Sequence, residues 1–318
     1  RIDEILQEKE TDFITYADCS DSSDESFELN NQHVNKLIDE EVRRIRHVRK
    51  IGGSKSSDVS LRSEGIGCSA SERAKKAPQP AGGYLNPRML SVSRLCDDSY
   101  VLEPGENIPY GLIGSAVDYL TRLAFGEPVE KAFFIPLRGA SMVKEDQYAR
   151  NLISKVKGLD EESVVSALKL SGFDVCARAG AAKYKPVRLI EPNSASVKNT
   201  LIMARRAVSF FNRCGGITRS FLTFAGGYTD AVPSGDGDYL AGNTIWDMKT
   251  SKKEPSKADT LQLLIYWRLG VHSIDAGYGK VRSLGICNPR LNKAYTIQVA
   301  ELPKDMLSEI DAVVIKYD

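Results

Sequence analysis

Between residue 84 and the last residue the hydrophobic spacing changes its period twice, and that change limits the folds open to the chain. In IGSAVDYLTRLAFG (113–126), Ile113, Ala116, Val117, Leu120 and Leu123 recur at helical spacing, and Gly126 is a natural stop. DEESVVSALKLSG (160–172) reads as a second helix, with Asp160 as N-cap and Gly172 past its end. NSASVKNTLIMARRAVSFFNRCGG (193–216) reads as a third, longer one. The pattern then shortens. SFLTFAGGYTDAV (220–232), GDYLAG (237–242) and NTIWDMKTS (243–251) are β-rich runs broken by Gly, Pro and Ser. ADTLQLLIYWRLG (258–270) returns to helix, and RSLGICNP (282–289) and AYTIQVAEL (294–302) close as strands. Helices, then strands, then a helix between strands, predict an α/β domain around one sheet.

The N-terminal quarter differs. Residues 1–30 hold ten acids against Arg1 and Lys9, and read as a solvated tail. IDEEVRRIRHVRK (38–50) has acids first and bases last, which suits a helix dipole and predicts an exposed charged helix. Residues 52–83 are rich in Ser, Gly, Ala and Pro and read as a linker. The expected organisation is a flexible charged arm (1–51), a linker (52–83) and a compact domain (84–318). The arm cannot bury a core alone, so it is expected to meet a protein partner.

Composition sets the outer bounds. Lys+Arg is 43 and Asp+Glu is 42, so charge alone does not make this a protein that coats nucleic acid. The acidic tail conceals a net positive remainder, so a local basic groove stays open. No run approaches the apolar length of a membrane span, and the charged opening RIDEILQEKE does not read as a signal peptide. Six scattered cysteines with no C-x-x-C pair support neither a zinc ribbon nor an iron–sulfur cluster. Free thiols in a cytoplasmic protein are the expectation.

The chemistry concentrates in SGDGDYLAGNTIWDMKTSKK (234–253). In a strand, residues i and i+2 face the same way, so Asp247 and Lys249 share one face and Trp246 and Met248 the other. The turn at 241–243 folds the preceding strand back and brings Asp238 beside Asp247. Two carboxylates and a lysine on a sheet suit metal-assisted phosphodiester hydrolysis. The carboxylates offer hard oxygen ligands to Mg²⁺, and the lysine can orient or deprotonate water or stabilise developing charge. Taken alone, D-x-K is a very common pattern and reads first as a surface ion pair. Asp236 is assigned to the turn, Asp230 ranks below Asp238, and Glu191 reads as a helix-start acid. His33, His47 and His272 show no metal-ligand spacing.

Taken together, Asp238 and Asp247-Met248-Lys249 resemble the motif of the PD-(D/E)XK nuclease superfamily. Two further features resemble its RecB-like exonuclease branch. Gln262 and Tyr266 fill Q-x-x-x-Y on the next helix, one turn apart. Gly114-Ser115-Ala116-Val117-Asp118 follows the G-[ST]-x-x-H signature, with Asp118 in place of the histidine. The resemblance spans about residues 108–290 and lacks the four-cysteine cluster of some relatives. There is no G-x-x-x-x-G-K-[ST] phosphate loop, so no helicase is implied.

The resemblance implies a restriction-endonuclease-like core, a central mixed β-sheet flanked by helices. It also implies a Mg²⁺- or Mn²⁺-dependent nuclease that cuts DNA, with RNA left open. Asp118, Asp238 and Asp247 would hold metal, and Lys249 would position or activate water. Gln262 and Tyr266 would contact substrate, beside a basic rim formed by Lys252 and Lys253. By association alone the setting would be DNA repair, phage replication or antiviral immunity. The rival expectation is an inactive nuclease-like module for binding or assembly.

Overall fold

The computed structural model describes residues 67–317. The expectations for the acidic tail, the charged helix and the first part of the linker lie outside the described residues. Helix α1 (Ala70–Lys76) comes first, then strand β1 (Ser91–Arg94). A helical block follows: α2 (Tyr110–Ala124), α3 (Val129–Ala132), α4 (Phe134–Met142), α5 (Asp146–Ile153), α6 (Glu161–Leu170), α7 (Asp174–Ala179) and α8 (Ser194–Arg213). Then come β2 (Ile217–Leu222), β3 (Gly237–Ala241) and β4 (Thr244–Met248), α9 (Lys257–Val271), β5 (Ser283–Asn288), β6 (Lys293–Gln298) and α10 (Lys304–Glu309).

The strands form one six-stranded mixed sheet in the order β1-β6-β5-β4-β3-β2. Every pairing is antiparallel except β4 with β5. That parallel pair needs a crossover, and α9 supplies it. The chain is thus α/β, with a mixed sheet flanked by helices, as the changing period predicts. Alternation along β4 decides what covers each face. Ile245 points into a core with Leu261, Leu264 and Ile265 of α9. Trp246 points the other way, against Phe210 and Phe211 of α8, its ring 4.8 Å from that of Phe210. A third cluster, with Ile113, Leu120, Phe133, Leu168, Phe173 and Met203, joins α2, α6 and α8 within the helical block.

The predicted N-cap holds at α6, where Asp160 accepts from the Ser163 N–H at 2.8 Å. Helix α8 opens in the same way, with Asn193 accepting from the Ser196 N–H at 2.9 Å. Gly172 does not end α6 as a left-handed cap. It sits inside a 3₁₀ turn (Ser171–Phe173) with no room for a side chain, because a Cβ there would meet Ile190 at 2.5 Å.

The linker expectation for 52–83 needs correction over its described part. Residues 70–76 form α1, with Ser69 as N-cap. Ala70 and Ala74 are buried in the core against α9. Arg73 donates to the carbonyl oxygens of Val314 and Val313 at 2.7 and 3.0 Å. The buried face of this helix consists only of alanines, which is why composition reads as linker. Among the described residues no helix is long and apolar enough to cross a membrane. Cys68, Cys96, Cys176, Cys214 and Cys287 are free thiols.

Candidate active site

The site is built on the β3–β4 hairpin. Ala241 pairs with Thr244, so Gly242 and Asn243 alone make the turn, and Gly242 takes φ +57°. Tight hairpin turns require such left-handed backbone. Tyr239 pairs with Trp246, and one further step along both strands sets Asp238 across from Asp247. The Met248 N–H donates to Asp238 Oδ2 at 2.7 Å, which fixes that carboxylate at the mouth of the hairpin. Asp230 and Asp236 are exposed in the loop between β2 and β3, so Asp238 is the acid that the fold brings to the motif.

Asp247 is buried, 2 % exposed. Lys249 Nζ lies 2.9 Å from its Oδ2. Gln262 Nε2 donates to its Oδ1 at 3.2 Å, and the Lys249 ammonium donates to Gln262 Oε1 at 3.2 Å. Asp259 adds a second carboxylate 3.7 Å from Lys249 Nζ. The i, i+2 rule therefore holds: Asp247 and Lys249 share the α9 face of the sheet.

Gln262 and Tyr266 belong to the site, and their polar atoms are turned towards its other side chains. They are 8 % and 5 % exposed. Gln262 Nε2 donates to Tyr266 Oη at 2.7 Å, and the Tyr266 ring stacks on Phe224. Their polar atoms hold Asp247, Lys249 and each other. The pattern correctly put them on one face of α9; burial of that face changes what they touch.

Asp118 also departs from expectation. It lies on α2, where Arg122 Nε reaches its Oδ2 at 3.0 Å and the Tyr239 hydroxyl donates to its Oδ1 and, at 3.1 Å, to its own backbone carbonyl. Tyr239 and Asp238 are neighbours on a strand and point to opposite faces. The carboxylate expected as a third metal ligand is thus engaged by an arginine and a tyrosine. Among the described residues no group of three His, Cys, Asp or Glu side chains could hold a metal ion. The helix nevertheless passes close to the motif, since a Cβ on Gly114 would meet Thr250 Oγ1 at 2.8 Å. A glycine at this point lets α2 cross the chain just beyond Lys249.

The electrostatics follow from crowding. Burial, then Asp247 and Asp118, push the Asp238 carboxyl up to about 7, against the pull of Arg122 and the Met248 N–H. Burial raises Asp247 as well, opposed chiefly by Lys249. Burial works to lower the Lys249 ammonium, but Asp247, Asp259 and Asp238 outweigh it and hold it above the usual lysine range. Lys252 and Lys253 are exposed in the loop after β4.

Three elements of the site escaped the sequence reading. Asp259 carries a readable signal, the capping box with Ser256 that opens α9. Arg122 stands four residues after Asp118, a helical ion-pair spacing. Tyr239 shows no such signal, since its hydroxyl reaches Asp118 only through the fold.

Fold and site together define an α/β protein whose mixed sheet carries one buried and one partly buried carboxylate, a partly buried lysine and a glutamine–tyrosine pair. No family model, no curated protein and no solved structure matches the chain.

Proposed function

We propose that the protein is a divalent-metal-dependent nuclease that hydrolyses phosphodiester bonds of DNA, with a RecB-like arrangement of its site. What carries the reading is the pairing of Asp238 with Asp247 across the β3–β4 hairpin, with Lys249 2.9 Å from Asp247. Two hard-oxygen carboxylates fit Mg²⁺ or Mn²⁺, because Mg²⁺ commonly binds through one or two carboxylates with water and substrate phosphate completing its shell. Asp247 Oδ2 supports this fit: it is buried and accepts no well-aligned hydrogen bond, despite the nearby ammonium. A bound ion supplies neutralising charge and an acidified water.

The chain's own residues do the rest. Asp238 and Asp247 present the ion's ligands from adjacent strands. Lys249, held charged by its acidic neighbours, donates hydrogen bonds to water and to the oxygens where charge develops. Gln262 and Tyr266 fix the rotamers of Asp247 and Lys249. Lys252 and Lys253 attract the phosphate backbone. Asp118 stands behind the pair and adds to its negative field, which Arg122 partly offsets.

The test is a gel time course on linear, circular and single-stranded DNA with Mg²⁺ or Mn²⁺. Wild type is expected to cut, and Asp238→Ala, Asp247→Ala and Lys249→Ala are each expected to lose cleavage with the fold retained by circular dichroism. Three variants that cut as well as wild type would sink the assignment. A second reading, an inactive nuclease-like module for binding or assembly, draws on the engagement of Asp118 by Arg122 and Tyr239. Calorimetry separates them: that module has no Mn²⁺ site, and EDTA leaves its DNA affinity unchanged.

A further inference from the structure

The loop after β4 ends against a feature that the proposed chemistry does not use. Tyr110 opens α2 and is 50 % exposed. Lys252 Nζ lies 4.7 Å from its ring centroid and Arg290 Cζ 5.1 Å from it. Pro109, the N-cap, offers α2 no side-chain acceptor. A Cβ at Gly111 would meet nothing within 4 Å, so the space beside the first turn is open. Arg290 is the independent pointer to a ligand. Its side chain is 4 % exposed, and two of its nitrogens are engaged: Nε donates to the Thr250 carbonyl at 2.7 Å and Nη1 to both Glu106 oxygens at 2.8 and 2.9 Å. Its Nη2 is buried and has no hydrogen-bond partner. An unpartnered guanidinium N–H is costly to keep buried unless something completes it.

We propose that Tyr110, Lys252 and Arg290 form a subsite for one unpaired nucleotide of the strand being cut. This deepens the nuclease reading and rests on it. The base stacks on the exposed Tyr110 ring, displacing the exposed Lys252 ammonium from it. The adjoining phosphate is held by Lys252, by the open first turn of α2 and, after a small shift of the ring, by Arg290 Nη2. A base in a duplex has no free face for the ring, so the subsite takes a single strand or a frayed end. Its position follows from the fold: Gly114 presses α2 onto Thr250, one residue past Lys249, and Arg290 holds the same Thr250 carbonyl.

The test is fluorescence anisotropy on the whole chain in EDTA, where no cleavage occurs. The probes are a fluorescein-labelled oligo-dT and an abasic oligonucleotide of equal length. Base–aromatic stacking predicts that Tyr110→Ala weakens oligo-dT binding about tenfold. Tyr110→Phe is expected to bind within about twofold of wild type, which controls for folding. The abasic probe is expected to bind wild type and Tyr110→Ala alike, and Lys252→Ala to weaken both probes. The subsite is overturned if Tyr110→Ala binds oligo-dT as wild type does, or loses affinity equally for the abasic strand. If wild type cuts DNA but Tyr110→Ala is silent, the subsite alone falls. If wild type neither binds nor cuts, both proposals fall.

Discussion

At the scale of single residues, the buried acids carry the sharpest consequences. Asp174 is 5 % exposed and lies outside the proposed catalytic pair. The Tyr119 hydroxyl donates to its Oδ2 at 2.7 Å, while Oδ1 has no partner of good geometry. Burial pushes its carboxyl up to about 6, and the hydrogen bonds of Tyr119 and Ser115, with Arg178, only partly offset this. The sign is set by linkage. The folded state binds the proton more tightly than the unfolded chain, whose aspartate titrates near ~3.9. Stability is therefore greatest below that value and falls as pH rises towards 6, by roughly 3 kcal/mol at most for a shift of this size. Asp174→Asn keeps an acceptor for Tyr119 and removes the buried charge. It is expected to be about 1–3 kcal/mol more stable than wild type at pH 7.5 and to flatten the loss between pH 4 and 6. Urea melts at pH 4.5 and 7.5 measure this, and a less stable Asn variant at pH 7.5 would contradict it. The same scale shows what the motif conveyed. Asp238, Asp247, Lys249, Gln262 and Tyr266 converge as their spacing suggests. Spacing carries no information about depth, so the burial of Gln262 and Tyr266, and the engagement of Asp118 by Tyr239, were not readable.

At the scale of elements, β4 is the hub, since it carries Asp247 between a paired antiparallel neighbour and a parallel one. Its fit against β5 depends on an absence of side chain. Trp246 and Gly285 are register partners, and a Cβ on Gly285 would fall 2.3 Å from Trp246 Cζ3. The glycine lets the indole lie over the neighbouring strand and reach Phe210 of α8. Gly285→Ala is expected to cost about 1–3 kcal/mol, the range for an overpacked core. Trp246→Leu in the same chain should return part of that loss, because it removes the ring that the new methyl strikes. A double-mutant cycle from urea midpoints reads the coupling, and purely additive effects would refute the contact. Elements with a broad apolar stripe, such as α2, α8 and α9, were visible in the sequence. Strand β1 was not: all four of its residues are exposed, so it has no alternation to read. Strand order was equally hidden, because the β4–β5 parallel pair is fixed by where α9 crosses and not by either strand's composition.

At the scale of the whole molecule, the question is where the compact domain begins. A boundary at residue 84 follows composition, but α1 lies upstream of it and packs against α9 in the same core. Thr260 of α9 donates to the Leu85 carbonyl at 2.7 Å, and Leu85 and Leu90 join the same core, so the chain from α1 into β1 is continuous with it. Arg73 further ties α1 to the C-terminal segment through Val313 and Val314. Removing α1 takes Ala70 and Ala74 out of the core they share with α9, opens that part of it to water and leaves those two carbonyls without their donor. Even a modest apolar area at about 25 cal/mol per Å², with two charge-assisted hydrogen bonds, amounts to about 3 kcal/mol. A chain lacking residues 1–83 is therefore expected to melt about 6–12 °C below one lacking residues 1–66, at the 2–4 °C per kcal/mol usual for this size. Differential scanning calorimetry of the two truncations checks this. Equal melting temperatures would return α1 to the linker and put the domain boundary back at residue 84.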